Sequence, residues 1–276
     1  MNTPPVLQVE AMVARTYFRT LADLMGSNPP SPNDQNMVDE LAKIGIVVGK
    51  PFNINTLDAV TRRAITDAYP KAQEDVKKAT KIVSPTATNW SMSLHLGSWV
   101  TPGGHPDYIT RAAVAYAGLG ANLYKDAVYA LAFRDGEGNN LTGNNCYTLT
   151  FDNNALPPVN SAAFWSVTLY NSGKENLFNP QPPARPRNGV GIPTTQGNDL
   201  IPNGDGSYTL YIQPYAPSTD STSMEYHNWL PTPLPVADST KNEFILLLRM
   251  YWPTEDLFND DGWIPPALQK QAACIS

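Results

Sequence analysis

Phe244-Ile245-Leu246-Leu247-Leu248-Arg249-Met250-Tyr251-Trp252 is the stretch whose reading decides the fold. Strand alternation puts Phe244, Leu246, Leu248, Met250 and Trp252 on one face and Ile245, Leu247, Arg249 and Tyr251 on the other. Arg249 is the only charge in the run. Working outward, four more short runs rich in Tyr, Phe, Thr, Val and Ile occupy Ala127–Arg134, Tyr147–Phe151, Phe164–Tyr170 and Tyr208–Gln213. Clusters of Asn, Gly, Asp and Pro separate them, and no helical pattern of useful length intervenes, so parallel βαβ units are not expected. The pattern predicts an antiparallel sandwich or partly open barrel. The Pro-rich stretches Phe178–Asn203 and Pro214–Ser239 read as long loops.

Before residue 126 the period is helical. Val6, Val9, Val13, Tyr17, Leu21 and Leu24 form one stripe, which Gly26 and Pro29-Pro30 end. A second helix carries Met37, Val38, Leu41 and Ile44, capped by Asn33 or Asp34 and closed by Gly45. Thr56 reads as the cap of a third, and Pro70 as a first-turn residue of a fourth running to about Ile82. Asp107 caps a fifth, Tyr108 to Ala117, after an irregular stretch holding Trp90, His95, Trp99 and Gly103-Gly104. The fold class expected is α+β: a helical segment, residues 1–125, packed on a jelly-roll-like antiparallel β-sandwich, residues 126–276.

Composition narrows the function. Nineteen Lys and Arg against 25 Asp and Glu leave a net charge of −6, which argues against a nucleic-acid partner needing a basic face. No apolar run, neither Phe244 to Leu248 nor the longer Ala127 to Phe133, approaches the roughly 18 residues of a membrane helix. Met1 to Gln8 lack a basic region followed by an apolar one, so the expected location is cytoplasmic, with secretion of a longer form left open. The two cysteines, Cys146 and Cys274, make no disulfide framework and lack zinc spacing; Cys146 reads as core packing and Cys274 as part of a frayed tail.

The segments Leu156-Pro157-Pro158-Val159 and Ala163-Phe164-Trp165-Ser166-Val167-Thr168-Leu169-Tyr170 resemble the core signature of the domain of unknown function 1214. The resemblance continues through Asn179-Pro180, Asp205-Gly206-Ser207, Asn228-Trp229-Leu230-Pro231 and Leu248-Arg249-Met250-Tyr251-Trp252-Pro253. Upstream, Ile44-Gly45-Ile46, Gly49-Lys50-Pro51-Phe52, Arg111-Ala112 and Gly118-Leu119-Gly120-Ala121-Asn122 resemble the helical segment that precedes that domain. The resemblance implies jelly-roll architecture, a companion domain of type 1254 that is absent from this chain, and hydrolysis of alkyl-sulfate-type esters. Without that first domain, the helical segment is expected to expose apolar surface, to be covered in a homo-oligomer or by a separate chain that supplies the missing domain.

Arg249 carries the chemical reading. A guanidinium among apolar strand residues needs an acceptor, and its planar fork suits a carboxylate, sulfate or phosphate. Two readings stand: an anion clamp in a sandwich cavity, or an ion pair with a loop carboxylate such as Asp205 or Asp152. Phe164, Ser166, Thr168 and Tyr170 share one strand face, and Ser207, Thr209, Tyr211 and Gln213 another, either lining a cavity or facing solvent. The candidate set is Arg249 with Tyr170, Tyr211 and Tyr251 as catalytic residues, the tyrosines as proton donors. Trp165, Ser166, Thr168, Asn228 and Trp229 are the substrate-binding residues. The substrate expected is a small amphipathic anion, with no cofactor and no metal; a non-catalytic ligand-binding or assembly module is the alternative. His95, His105 and His227 match no zinc spacing, and no Gly-x-Ser-x-Gly elbow occurs.

Overall fold

Alternation along residues 244–251 organises the C-terminal half in the computed structural model. That model describes every residue except 1, 2, 4, 81–83, 93, 95–103, 105, 119, 173–188, 193–199, 260, 261 and 276. His95, His105 and Trp99 therefore lie outside the described residues. The chain divides into two compact units, Met1–Ile82 with Gly97–Ala121, and Val83–Leu96 with Asn122–Ser276.

The helical unit contains α1 (Pro5–Glu10), α2 (Ala14–Ser27), α3 (Gln35–Lys43), α4 (Ala59–Ala79) and α5 (Tyr108–Ala117). The first expected helix is broken into two, and its buried stripe is displaced. Val9, Val13 and Leu24 are exposed, whereas Ala14, Ala22 and Met25 are buried with Ile46, Phe52, Ile54, Ile65 and Tyr69. The third and fourth expected helices are one. Asp58, not Thr56, caps α4 by accepting the Val60 and Thr61 amides at 2.9 and 3.0 Å, and Pro70 lies inside the helix. Helix α5 has the expected bounds, with Asp107 accepting the Thr110 amide at 3.0 Å. Arg111 of α5 donates to both carboxylate oxygens of Asp34, at 2.6 and 3.0 Å, joining segments 77 residues apart.

The sheet unit carries ten strands among the described residues: β1 (Ser84–Pro85), β2 (Trp90–Met92), β3 (Ala127–Ala132), β4 (Tyr147–Phe151), β5 (Trp165–Asn171), β6 (Gly189–Ile192), β7 (Tyr208–Gln213), β8 (Trp229–Pro231), β9 (Phe244–Tyr251) and β10 (Gln269–Lys270). A four-residue helix, α6 (Met224–His227), leads into β8. The larger sheet has the order β1-β2-β3-β9-β5-β6 and the smaller β10-β4-β7-β8. All pairings are antiparallel except β7 with β8. The architecture is α+β with two antiparallel-rich sheets and, among the described residues, no closed barrel. A strict jelly roll has eight strands; among the described residues the sheets hold six and four.

One core serves both sheets. Val128, Val167, Leu246, Leu248 and Met250 of the larger sheet join Tyr147, Leu149, Phe151, Leu210 and Ile212 of the smaller, and Phe151 packs on Trp165 with ring centroids 4.8 Å apart. Each such side chain, fully buried, contributes about 1.5–3 kcal/mol of transfer free energy. The five expected strands are all present. Strands β2, β6 and β8 fall in stretches read as irregular, because each is only three or four residues long and depends on a long-range partner. Trp90 is fully buried, and its indole N–H donates to Pro266 O at 2.7 Å.

The reading of the cysteines needs correction. Cys146 and Cys274 form a disulfide with Cα atoms 5.3 Å apart, across 128 residues of sequence. The C-terminal residues are held as an edge strand rather than frayed: Gln269 and Lys270 pair with Thr148 and Tyr147. A pairing between residues so far apart leaves no local signal.

Candidate functional site

The register of the larger sheet fixes what surrounds Arg249. It lies opposite Tyr129 of β3 on one side and Ser166 of β5 on the other, and Ser166 in turn lies opposite Gly191 of β6. Residues directly opposite in an antiparallel pair share a face. The next row runs Ser91, Leu131, Leu247, Thr168 and Gly189 across five strands. Because Leu246, Leu248 and Met250 fill the core, this face is the outer one, and its β9 side chains are half-buried. The expectation that Arg249 points into the sandwich is thereby corrected: the interior face carries apolar side chains, and alternation turns Arg249 away from it.

The guanidinium leans along the face toward the end of β5. Its two terminal nitrogens donate to Thr168 Oγ1 at 2.8 Å and to the Tyr170 hydroxyl oxygen at 2.6 Å. Its central carbon lies 5.7 Å from the Tyr170 ring centroid. Among the described residues no carboxylate lies within ion-pair distance of Arg249. Asp205, offered as a partner from sequence, instead accepts from the Ser207 amide and hydroxyl at 2.9 and 2.6 Å, and the Ser207 hydroxyl chiefly holds its carboxyl below the usual range. An arginine has five N–H donors. Two are engaged here by neutral oxygens, so the positive charge is solvated but not cancelled.

Tyrosines surround this charge. Tyr251 lies two residues beyond Arg249 on the same face, and its ring stacks on Phe164 at a centroid distance of 4.5 Å. Tyr129, which sequence reading did not single out, receives a hydrogen bond from Asn122 Nδ2 at 2.9 Å. Burial pushes its phenol pKa above the ordinary value, the neighbouring Tyr251 adds to the rise, and the Asn122 hydrogen bond and the Arg249 charge oppose it. The signal for Tyr129 was its parity in the run 127–132, but the pairing partner of that run was not readable. Gly189 is a quieter participant: a Cβ there would sit 3.2 Å from Thr168 Oγ1, the oxygen that accepts from Arg249.

The other candidates lie elsewhere. Tyr211 is on the outer face of the smaller sheet, opposite Thr148, with its phenol pKa raised by burial and by Glu225. Trp165 faces the core and is 3% exposed. Trp229 is buried and donates from its indole nitrogen to Gln213 O at 2.8 Å. Asn228 is fully buried; its Oδ1 accepts the Ile201 amide and its Nδ2 donates to Ile201 O, both at 2.8 Å. Trp165, Asn228 and Trp229 are thus buried, apart from the outer face that carries Arg249. Of the nine sequence candidates, the structure gathers Arg249, Thr168, Tyr170, Ser166 and Tyr251 on one face.

Comparison with known proteins adds architecture. A search of curated proteins finds no match. The crystal structure of the VPA0106 protein from Vibrio parahaemolyticus is similar over 98% of this chain and 58% of its own, with a TM-score of 0.60 and 19% identity. An uncharacterised protein from Burkholderia cenocepacia matches over 87% of this chain and 51% of its own, with a TM-score of 0.32 and 14% identity. The chain thus spans little more than half the length of either. The family model described as protein of unknown function, DUF1214, matches residues 126–255, which include β3 through β9 and every residue of the Arg249 cluster except Asn122. The similarity to DUF1214 thus covers residues 126–255, the C-terminal part of this chain.

Proposed function

We propose that the outer face of the six-stranded sheet binds a small amphipathic anion through Arg249. The observation carrying this reading is a half-buried guanidinium hydrogen-bonded to Thr168 and Tyr170 and paired, among the described residues, with no carboxylate. A carboxylate, sulfate monoester or phosphate monoester accepts the remaining N–H donors and supplies the missing countercharge. Leu131 and Leu247 beside it, and the Tyr251–Phe164 stack further along, offer apolar area to the ligand's uncharged part. Because Tyr170 accepts from Arg249, its own hydroxyl proton is free to donate to the same anion.

Binding is the function the geometry supports best. Hydrolysis of an alkyl-sulfate-type ester needs, besides this clamp, a group to activate water. Among the described residues no His, Asp or Glu hydrogen-bonds or ion-pairs with the Arg249 cluster. Isothermal titration with hexyl sulfate and with hexanol tests the reading. Heat of binding is expected for the sulfate alone, weakened at least tenfold in Arg249→Met. Equal affinity of parent and variant overturns the clamp. Release of inorganic sulfate during the same incubation would add catalysis to binding.

A further inference from the structure

We propose that the Cys146–Cys274 disulfide is a redox-sensitive clasp that holds the C-terminal residues 269–275 on the edge of β4, and that its reduction releases them while the rest of the sheet unit stays folded. The two residues are the only cysteines in the chain, and each is the other's sole disulfide partner. Their surroundings differ: Cys146 is 4% exposed, beside the core, whereas Cys274 is an exposed residue. Thiol–disulfide exchange depends on access to a sulfur, and Cys274 gives a small dithiol that access.

What the bond holds is otherwise slight. Strand β10 contributes two exposed residues in register with Thr148 and Tyr147. Beyond it, the Gln271 amide donates to Cys146 O at 2.8 Å and its side-chain amide to Thr148 Oγ1 at 2.8 Å. The last anchor is Gln213, 2% exposed, whose Nε2 donates to Ile275 O at 2.8 Å while its Oε1 accepts the Ile275 amide at 3.2 Å. No apolar side chain of residues 269–275 is buried; the nearest core anchor is Leu268, fully buried just before β10. With few contacts and exposed backbone hydrogen bonds, such a segment belongs to the least stable part of a fold. Detached, it leaves β4 as an edge strand with unpaired amides and carbonyls.

The chemistry balances with a dithiol reductant. One thiolate attacks the Cys274 sulfur, the S–S bond breaks, and Cys146 leaves as a thiolate that takes up a proton. The second thiol then attacks the mixed disulfide, releasing Cys274 as a thiol and the reductant as its own disulfide; two electrons and two protons have passed to the protein. Such bonds persist in oxidising compartments and are reduced in the cytoplasm, so the clasp reports the compartment in which the chain resides.

Hydrogen exchange on the full chain, with and without dithiothreitol, tests this, with two free thiols per chain confirming complete reduction. The expected result is loss of protection at residues 269–275 to the rate of an unstructured chain, at least tenfold faster exchange in β4, and continued strong protection in β9. Cys274→Ser without reductant should reproduce the pattern; where that variant does not fold, reduction of the parent decides alone. Unchanged protection of 269–275 in fully reduced protein overturns the proposal, because hydrogen bonds then suffice. Simultaneous loss of protection in 269–275 and β9 overturns it too, since the bond is then a staple of the whole unit.

Discussion

The outer faces of the two sheets look alike in sequence and differ in use. Both carry rows of hydroxyl side chains: Ser166, Thr168 and Tyr170 on β5 of the larger sheet, Thr209 and Tyr211 on β7 of the smaller. On the smaller sheet the threonine hydroxyls are engaged by neighbouring side chains. Thr150 and Thr209 share a hydrogen bond at 3.0 Å, Asn203 donates to Thr209 at 3.0 Å, and Gln271 donates to Thr148 at 2.8 Å. On the larger sheet the row converges on a cation, and Thr168 and Tyr170 are committed to Arg249. A hydroxyl row is therefore no evidence of a site; a charge without countercharge in its midst is. If this contrast is sound, substitutions on the smaller sheet cost stability and leave anion binding alone, and those around Arg249 do the reverse.

The largest effect is expected at the disulfide. In the chain-entropy account, closing a loop of this length stabilises by about 2–5 kcal/mol. The pair Cys146→Ser and Cys274→Ser should lower unfolding free energy in urea by that amount, with hexyl sulfate affinity unchanged. Loss of binding along with stability would break the division between the sheets.

Next comes Asn228, whose side chain satisfies both backbone groups of Ile201 in a fully buried position. Asn228→Ala strands a donor and an acceptor, costing about 2–4 kcal/mol, again without change in anion affinity. Arg249→Met reverses the pattern. Loss of charge-assisted hydrogen bonds should weaken hexyl sulfate binding by about 1.5–3 kcal/mol, while unfolding free energy moves by less than about 1 kcal/mol for a half-buried group. Thr168→Val and Tyr170→Phe each remove one acceptor from the guanidinium. Affinity should fall by about 0.5–1.5 kcal/mol, with Tyr211→Phe as the silent control.

The sequence made the strands of the core legible because period-2 alternation is a local property. Tyr147–Phe151 and Tyr208–Gln213 are found with those bounds, and residues 244–251 within a residue of theirs. It also placed Arg249, Thr168, Ser166, Tyr170 and Tyr251 as candidates, by parity alone. What parity does not reveal is which face looks inward when both carry apolar residues, as in 244–251, and so alternation alone allows the cation to face the interior. Asn228 and Trp229 read as site candidates because buried amides and indoles look the same in sequence whether they bind a ligand or the backbone. The helical errors are of another kind. Pro70 reads as a first-turn residue because its ring suits that position, yet packing carries one helix through it from Ala59 to Ala79.

The smallest test uses the phenols themselves. Tyr129 and Tyr211 are both held above the ordinary tyrosine pKa by burial, but only Tyr129 also feels Arg249, whose charge favours the phenolate and pulls the value back. A raised folded-state pKa means that the neutral phenol contributes stability below the unfolded value near 10, lost as pH climbs through the folded one. Replacing Arg249 by Met removes the opposing pull, so Tyr129 should titrate at still higher pH, while Tyr211, on the other sheet and influenced by Glu225, should not move. Ring-carbon NMR titration above pH 9, with Tyr129→Phe to assign the signal, distinguishes the two. Parallel shifts of both tyrosines would mean that the substitution altered the fold as a whole; a shift of Tyr129 alone locates the charge of Arg249 on the outer face of the larger sheet, where an incoming anion would meet it.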